Sequence, residues 1–434
     1  MINLYNELFA IAQKVFNYEF KDTLLTEEEY GTTLFPHLKS SEDDDGTKRH
    51  TLFFNPRVET VLALYNIAVI RNINIGNALA YYILFYECIS LDEYDHARAF
   101  FTRFSEEVKR LQLKEKMEEM RYETNSFIRY QVLFTLFHEI SHEYYRQYGK
   151  SHDIATATSK KVLESLRGPY TKIFTEENFA KAMMRDDVKN FILSQIPEGC
   201  SDEEMRRVVE ENVALYHYLA DLSTYIGQLL NDKDQQFLDE ISCDRYAFII
   251  FMRWAKRQRL PQDMTSLLHD ILYVAVNAMD NVKVLQTYCN PPRGAREMPY
   301  DPRQIVLRQR ALITNRLLFQ GKRKKYQGVD EYYKELNTTL EGLMVTALTT
   351  MRSHEKLICE ILERREKVRM PDSFAIISLR EDMEATAGML HDDFMKQCPL
   401  DFAAMSAEDF KDREGLFSLL KRYLWVKLTG RYGS

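Results

Sequence analysis

The chain has 434 residues, enough for one large domain or two to three ordinary ones with a sizeable core. Apolar residues make up 45% of it and charged residues 28%, the mixture of a soluble globular protein. The net charge of −7 argues against a general nucleic-acid binder, and no stretch reaches the roughly 18 uninterrupted apolar residues that a membrane helix needs.

In chain order, "MINLYNELFAIAQKVFNYEF" lacks both a basic segment and a small-residue cleavage site. It reads as an amphipathic helix rather than a signal peptide, so a cytoplasmic protein is expected. "KSSEDDDGTK" (39–48) reads as an acidic loop, and "HTLFFNP" (50–56) as a strand closed by Asn55-Pro56. Val61, Leu62, Tyr65, Ala68 and Val69 suit one face of a helix. Ser105 is a candidate cap for a charged helix carrying Val108, Leu111 and Met117, with Glu106 four residues before Arg110.

Further along, "SHDIATATSK" (151–160) follows Gly149, a helix stop, and reads as irregular. "CNPPRGAREMPYDPR" (289–303) is a proline-rich break. "GKRKKYQG" (321–328) is a basic run whose ordinary reading is a solvated loop. Residues 330–368 read as one long helix ended by "RMPDS". The six cysteines form no CxxC pair and are expected as reduced core thiols. The fold expected is mainly α with a small sheet.

One stretch carries chemistry. In "LFTLFHEISHEYYRQYG" (133–149), His138 and His142 are four apart and share one helix face. Glu139 is rotated by about 100°, so it reaches water at the ion without being a ligand. Two imidazoles and a third ligand hold zinc with a position left for water, and an adjacent carboxylate accepts that water's proton. Ile128, Val132, Leu133, Phe134, Leu136, Phe137 and Ile140 make the helix apolar on almost every side, as in a buried helix. Burying a His-Glu-His trio costs roughly several kcal/mol unless it is paired or metal-bound.

A third ligand has to come from elsewhere. The elongated metalloprotease pattern needs Gly and then His or Asp where this chain has Tyr145 and Tyr148, and the zinc deaminase pattern is absent. "FLDEISCDRYAFIIF" (237–251) offers Glu240 and Asp244 on one helix face within apolar sequence. Glu240 would supply a metal oxygen, and Asp244 an acceptor for the N–H of a ligand histidine. His217, on the apolar stretch between the two motifs, is the rival third ligand.

His138-Glu139-x-x-His142 followed by Glu240-Ile-Ser-Cys-Asp244-Arg-Tyr-Ala resembles the gluzincin class of zinc metallopeptidases. It is similar in particular to HtpX/Ste-type, ImmA/IrrE-like and Lit-type phage-exclusion peptidases. The likeness covers about residues 128 to 310 and rests on short motifs; where such proteins have His-Pro-Pro, this chain has Asn290-Pro291-Pro292. The resemblance implies a zincin-like core, placed at 128–320; the flanks, which it does not identify, read as an N-terminal helical region with a short strand near 50–55 (1–127) and a C-terminal helical region (321–434). It implies Zn2+ held by His138, His142 and Glu240, with Glu139 as general base and Asp244 orienting a histidine. Tyr288, Tyr300, Arg296 and Arg308 are the candidates to stabilise the transition state, Tyr300 and Arg308 foremost. The function implied is a soluble endopeptidase acting on a restricted protein or peptide substrate in regulation or defence, with neither nucleic acid nor membrane as partner. A second class stays open: a catalytically silent helical interaction protein with a structural metal site.

Overall fold

A computed structural model describes residues 2–16, 23–27, 34–42, 48–55, 57–91, 93–173, 222–231, 235–257, 262–289, 302–320 and 329–367, with isolated positions between 181 and 210. It is mainly helical, with thirteen helices and one three-stranded sheet among the described residues. The described residues divide into two compact units. One is drawn from 1–143, 247–299 and 326–434, the other from 144–246 and 300–325.

The first unit opens with α1 (Ile2–Val15), β1 (Leu24–Glu27), β2 (His37–Glu42) and β3 (Lys48–Phe54). The strand order is β1-β3-β2, with β1 parallel and β2 antiparallel to β3. The sheet corrects one expectation. Residues 39–42 of the acidic stretch continue β2, because Lys39 to Glu42 pair with Thr51 to Lys48 of a strand rich in Thr, Leu and Phe. At the end of β3 the side chain of Asn55 accepts a hydrogen bond from the Arg57 amide at 2.9 Å. That turn hands the chain to α2 (Val58–Arg71), whose residues 58–68 are all buried. The helix ends where Asn72 takes the left-handed conformation, which asparagine tolerates.

Next come α3 (Gly76–Ser90), α4 (Tyr94–Arg110) and α5 (Leu113–Glu119). Ser105 is no cap. It lies inside α4 and donates to the Phe101 carbonyl at 2.9 Å, while Arg110 pairs with Glu107 rather than Glu106. The break falls at Gln112, which has φ 51°. α6 (Arg121–Gln147) is buried at every position from 124 to 138, as its apolar sequence demands. It is keyed to α2 by a reciprocal amide pair, Asn66 and Gln131, at 2.9 Å in each direction.

α10 (Gln262–Cys289) belongs to the first unit; α7 (Gly149–Ile173), α8 (Leu222–Asn231), α9 (Gln235–Arg257) as far as Tyr246, and α11 (Pro302–Gln320) build the second. Its core joins Val162, Leu163, Leu222, Ile226, Phe237, Leu238, Ile241, Leu307 and Ala311. The Ser/Thr-rich segment 151–160 is helix, not loop. Ala155, Ser159 and Val162 turn inward, Ser159 bonds to Ser242 of α9 at 2.8 Å, and Thr158 donates back to the Ile154 carbonyl.

The chain then adds α12 (Val329–Ser353) and α13 (Glu355–Lys367), two helices divided at His354 rather than one. Of the cysteines, Cys88, Cys243 and Cys289 are buried thiols, whereas Cys359 lies at the surface; Cys200 and Cys398 fall outside the described residues. No described helix is long and apolar enough to cross a membrane.

Candidate metal centre

α6 and α9 lie against one another within each unit. In the first, Tyr130 and Phe137 meet the Phe251 ring edge-on at centroid distances of 5.9 and 6.2 Å. In the second, Tyr144 stacks on Tyr246 at 5.1 Å and Tyr145 approaches the same ring at 5.4 Å. Burial pushes the Tyr145 hydroxyl well above the ordinary tyrosine pKa, so it stays protonated in the packed layer.

Along this pair the two sequence motifs come together. His138, His142 and Glu240 each offer one ligand atom, and these atoms all lie within 4.8 Å of one another. His138 is buried, while His142 and Glu240 are half-buried. The two Nε2 atoms are 3.1 Å apart, with the ring planes at 82°. Two nitrogens at corners of a tetrahedral zinc site stand about 3.3 Å apart for bonds of about 2.05 Å. The spacing therefore fits one ion shared by both rings. Two imidazoles and a carboxylate suit zinc and other first-row divalent ions alike.

Glu139 is half-buried, and its Oε2 accepts a hydrogen bond from the Leu38 amide of β2 at 3.3 Å. Among the described residues β2 pairs only with β3, so this amide lies on the outer edge of the sheet. A second link lies one turn on. Ser40 of β2 donates to Oε2 of Glu143 at 2.8 Å and contacts Nδ1 of His50 on β3 at 2.9 Å. With the Ser40 proton directed at the carboxylate, the His50 Nδ1–H is the donor of the second bond. Glu143 is only 1% exposed, so its charge leans on such donors.

Arg308 of α11 is buried and places Nε and Nη2 on the two oxygens of Asp244, with Nη2–Oδ1 at 2.8 Å. The same Nη2 is 3.3 Å from Oε2 of Glu240. Asp244, expected to orient a histidine, thus receives a guanidinium, and Arg308, expected to face an oxyanion, is engaged by the two acids of α9. Tyr288 is half-buried near the end of α10. Burial, followed by the negative charge of Glu355, pushes its hydroxyl up to about 12. Tyr300, Arg296 and His217 lie outside the described residues.

Sequence reasoning passed over Ser40, His50 and Glu143. Glu143 did carry a signal: it stands four after Glu139, on the same helix face, inside buried sequence. Ser40 and His50 carried none: Ser40 meets Glu143 about a hundred residues away, and His50 enters only through Ser40. No protein family, no curated protein and no solved structure matches the chain.

Proposed function

We propose that the protein is a zinc-dependent endopeptidase acting on an extended segment of a restricted protein substrate. The observation that carries the reading is the convergence of His138, His142 and Glu240 within 4.8 Å, with Glu139 offset on the same helix as the two histidines. When bound, zinc supplies a Lewis acid that makes water a nucleophile at neutral pH. The three side chains hold the ion, and their mixed nitrogen and oxygen character leaves a position open to solvent and substrate.

Glu139 accepts a proton as water adds to the scissile carbonyl, then returns it to the departing amine as the C–N bond breaks. The Leu38 amide orients the Glu139 carboxylate by donating to its Oε2. The same bond shows which backbone groups of β2 point outward. In antiparallel pairing, alternate residues present their N–H and C=O groups away from the neighbouring strand. Ser40 therefore shares the outward set with Leu38, and an extended peptide laid along this edge gains main-chain hydrogen bonds beside Glu139.

The test compares a proteome incubated with wild-type protein and with Glu139→Gln, reading new N-termini. Cleavage products present with the wild type and absent with the variant support the proposal. Identical products in both samples assign the cutting to another centre. A metal-loaded wild type that cuts nothing favours a silent interaction protein with a structural metal site.

A further inference from the structure

We propose that Arg308 is a positioning residue that makes Glu240 a one-oxygen metal ligand by occupying its other oxygen. The inference rests on the metal-site reading above and deepens it.

Glu240 and Asp244 are one helical turn apart on α9, so their carboxylates share a face and repel. Arg308 answers both from α11. Its Nε and Nη2 take the two oxygens of Asp244, and Nη2 lies 3.3 Å from Oε2 of Glu240. The guanidinium is rigid and planar, with five N–H groups in a fixed fork, so one group serves two carboxylates in a fixed geometry. A lysine ammonium is a point charge on a flexible stem and does not set an angle in this way. At 4% exposure, Arg308 is not diverted by water.

A glutamate can meet a divalent ion through one oxygen or through both. The guanidinium charge 3.3 Å from Oε2 draws electron density toward that oxygen, leaving Oε1 as the better ligand atom. Ligation through one oxygen gives the ion two nitrogens and one oxygen from the chain. Ligation through both would fill the position that a hydrolytic reaction needs open.

The experiment reads coordination without reference to turnover. The full chain is loaded with cobalt(II), whose visible bands are most intense in four-coordinate sites and weaker in five-coordinate ones. Arg308→Met alone leaves Asp244 buried beside a lost partner and endangers folding. The decisive variant is therefore the pair Arg308→Met with Asp244→Leu, which removes the buried ion pair as a unit. The wild type is expected to give intense bands. The double variant is expected to give weaker, shifted bands and a metal affinity changed by about 10- to 100-fold. A double variant with the wild-type spectrum and wild-type affinity overturns the role of Arg308 and leaves the metal site standing. A wild type that binds neither cobalt nor zinc overturns the site itself.

Discussion

Glu139 and His138 stand side by side on α6, yet they should fail in opposite ways. Glu139→Gln keeps shape and volume and removes only the proton acceptor. Metal content and thermal midpoint should stay at the wild-type values, while cleavage falls by about 10²- to 10⁴-fold or more. His138→Ala and His142→Ala should each lose the metal, measured as about one zinc per chain in the wild type. Full retention of zinc in both alanine variants would sink the site. Glu143 makes a third case. Removing the Ser40 hydroxyl takes one donor from a buried carboxylate, so Ser40→Ala should cost about 1–3 kcal/mol in denaturant unfolding, more than a solvent-exposed strand position warrants. An unchanged midpoint would show that the link between β2 and α6 contributes nothing. The His138-Glu139-His142 geometry was legible in the sequence because it is set by helical spacing alone. The Ser40 link was not, because it joins residues on a strand and a helix that nothing local connects.

Among the elements, α12 shows a packing rule that no local pattern announces. Asn72, Asn74 and Asn77 flank the start of α3 and bond to Thr339, Thr346 and Thr350 of α12. Between them sits Gly76, where a β-carbon would fall 2.5 Å from the Leu343 carbonyl oxygen and 2.9 Å from the Ala347 amide nitrogen. Alanine gains about 1 kcal/mol over glycine in a helix. Here that gain is overtaken, because the clashing atoms are backbone and cannot rotate away. Gly76→Ala should destabilise by about 1–3 kcal/mol or more, seen as a lowered thermal midpoint. A stabilised variant would mean that α12 sits further from α3. Most of the helical content was readable from apolar spacing, and β3 from its Thr-Leu-Phe run. α7 was misread because Ser, Thr and Asp favour loops by local hydrogen bonding. Tertiary burial of Ala155, Ser159 and Val162 outweighs that preference.

Taken whole, the chain places two metal ligands on α6 and the third about a hundred residues later on α9. An ion bound to all three joins distant parts of the chain in the folded state only, so it adds stability by mass action: about 2.7 kcal/mol at a hundredfold excess over its dissociation constant. A chelator should therefore lower the melting temperature of the wild type and leave His142→Ala unmoved, as calorimetry can read. An equal drop in both proteins would assign the effect to a different ion. What the sequence concealed at this scale is the division of the chain. The first unit gathers 1–143, 247–299 and 326–434. Such a grouping depends on which surfaces meet, and its boundaries at 143 and 246 fall inside the unbroken helices α6 and α9.

The lock between Gly76 and α12 also sets a timetable. A ribosome adding about 5–20 residues per second needs roughly 10 to 60 seconds to travel from the start of α3 to its partner helix. Through that interval the largely apolar α2 and α3 have been made but the helix that covers them has not. The newborn protein thus carries a long-lived sticky surface, the kind that chaperones shield. Both histidines and Glu240 leave the ribosome before α12 does, so every ligand is present while the scaffold is still incomplete. Arrested nascent chains cut short before and after α12 should differ sharply in protease resistance across α2 and α3, with protection arriving only once residues 329–353 have emerged.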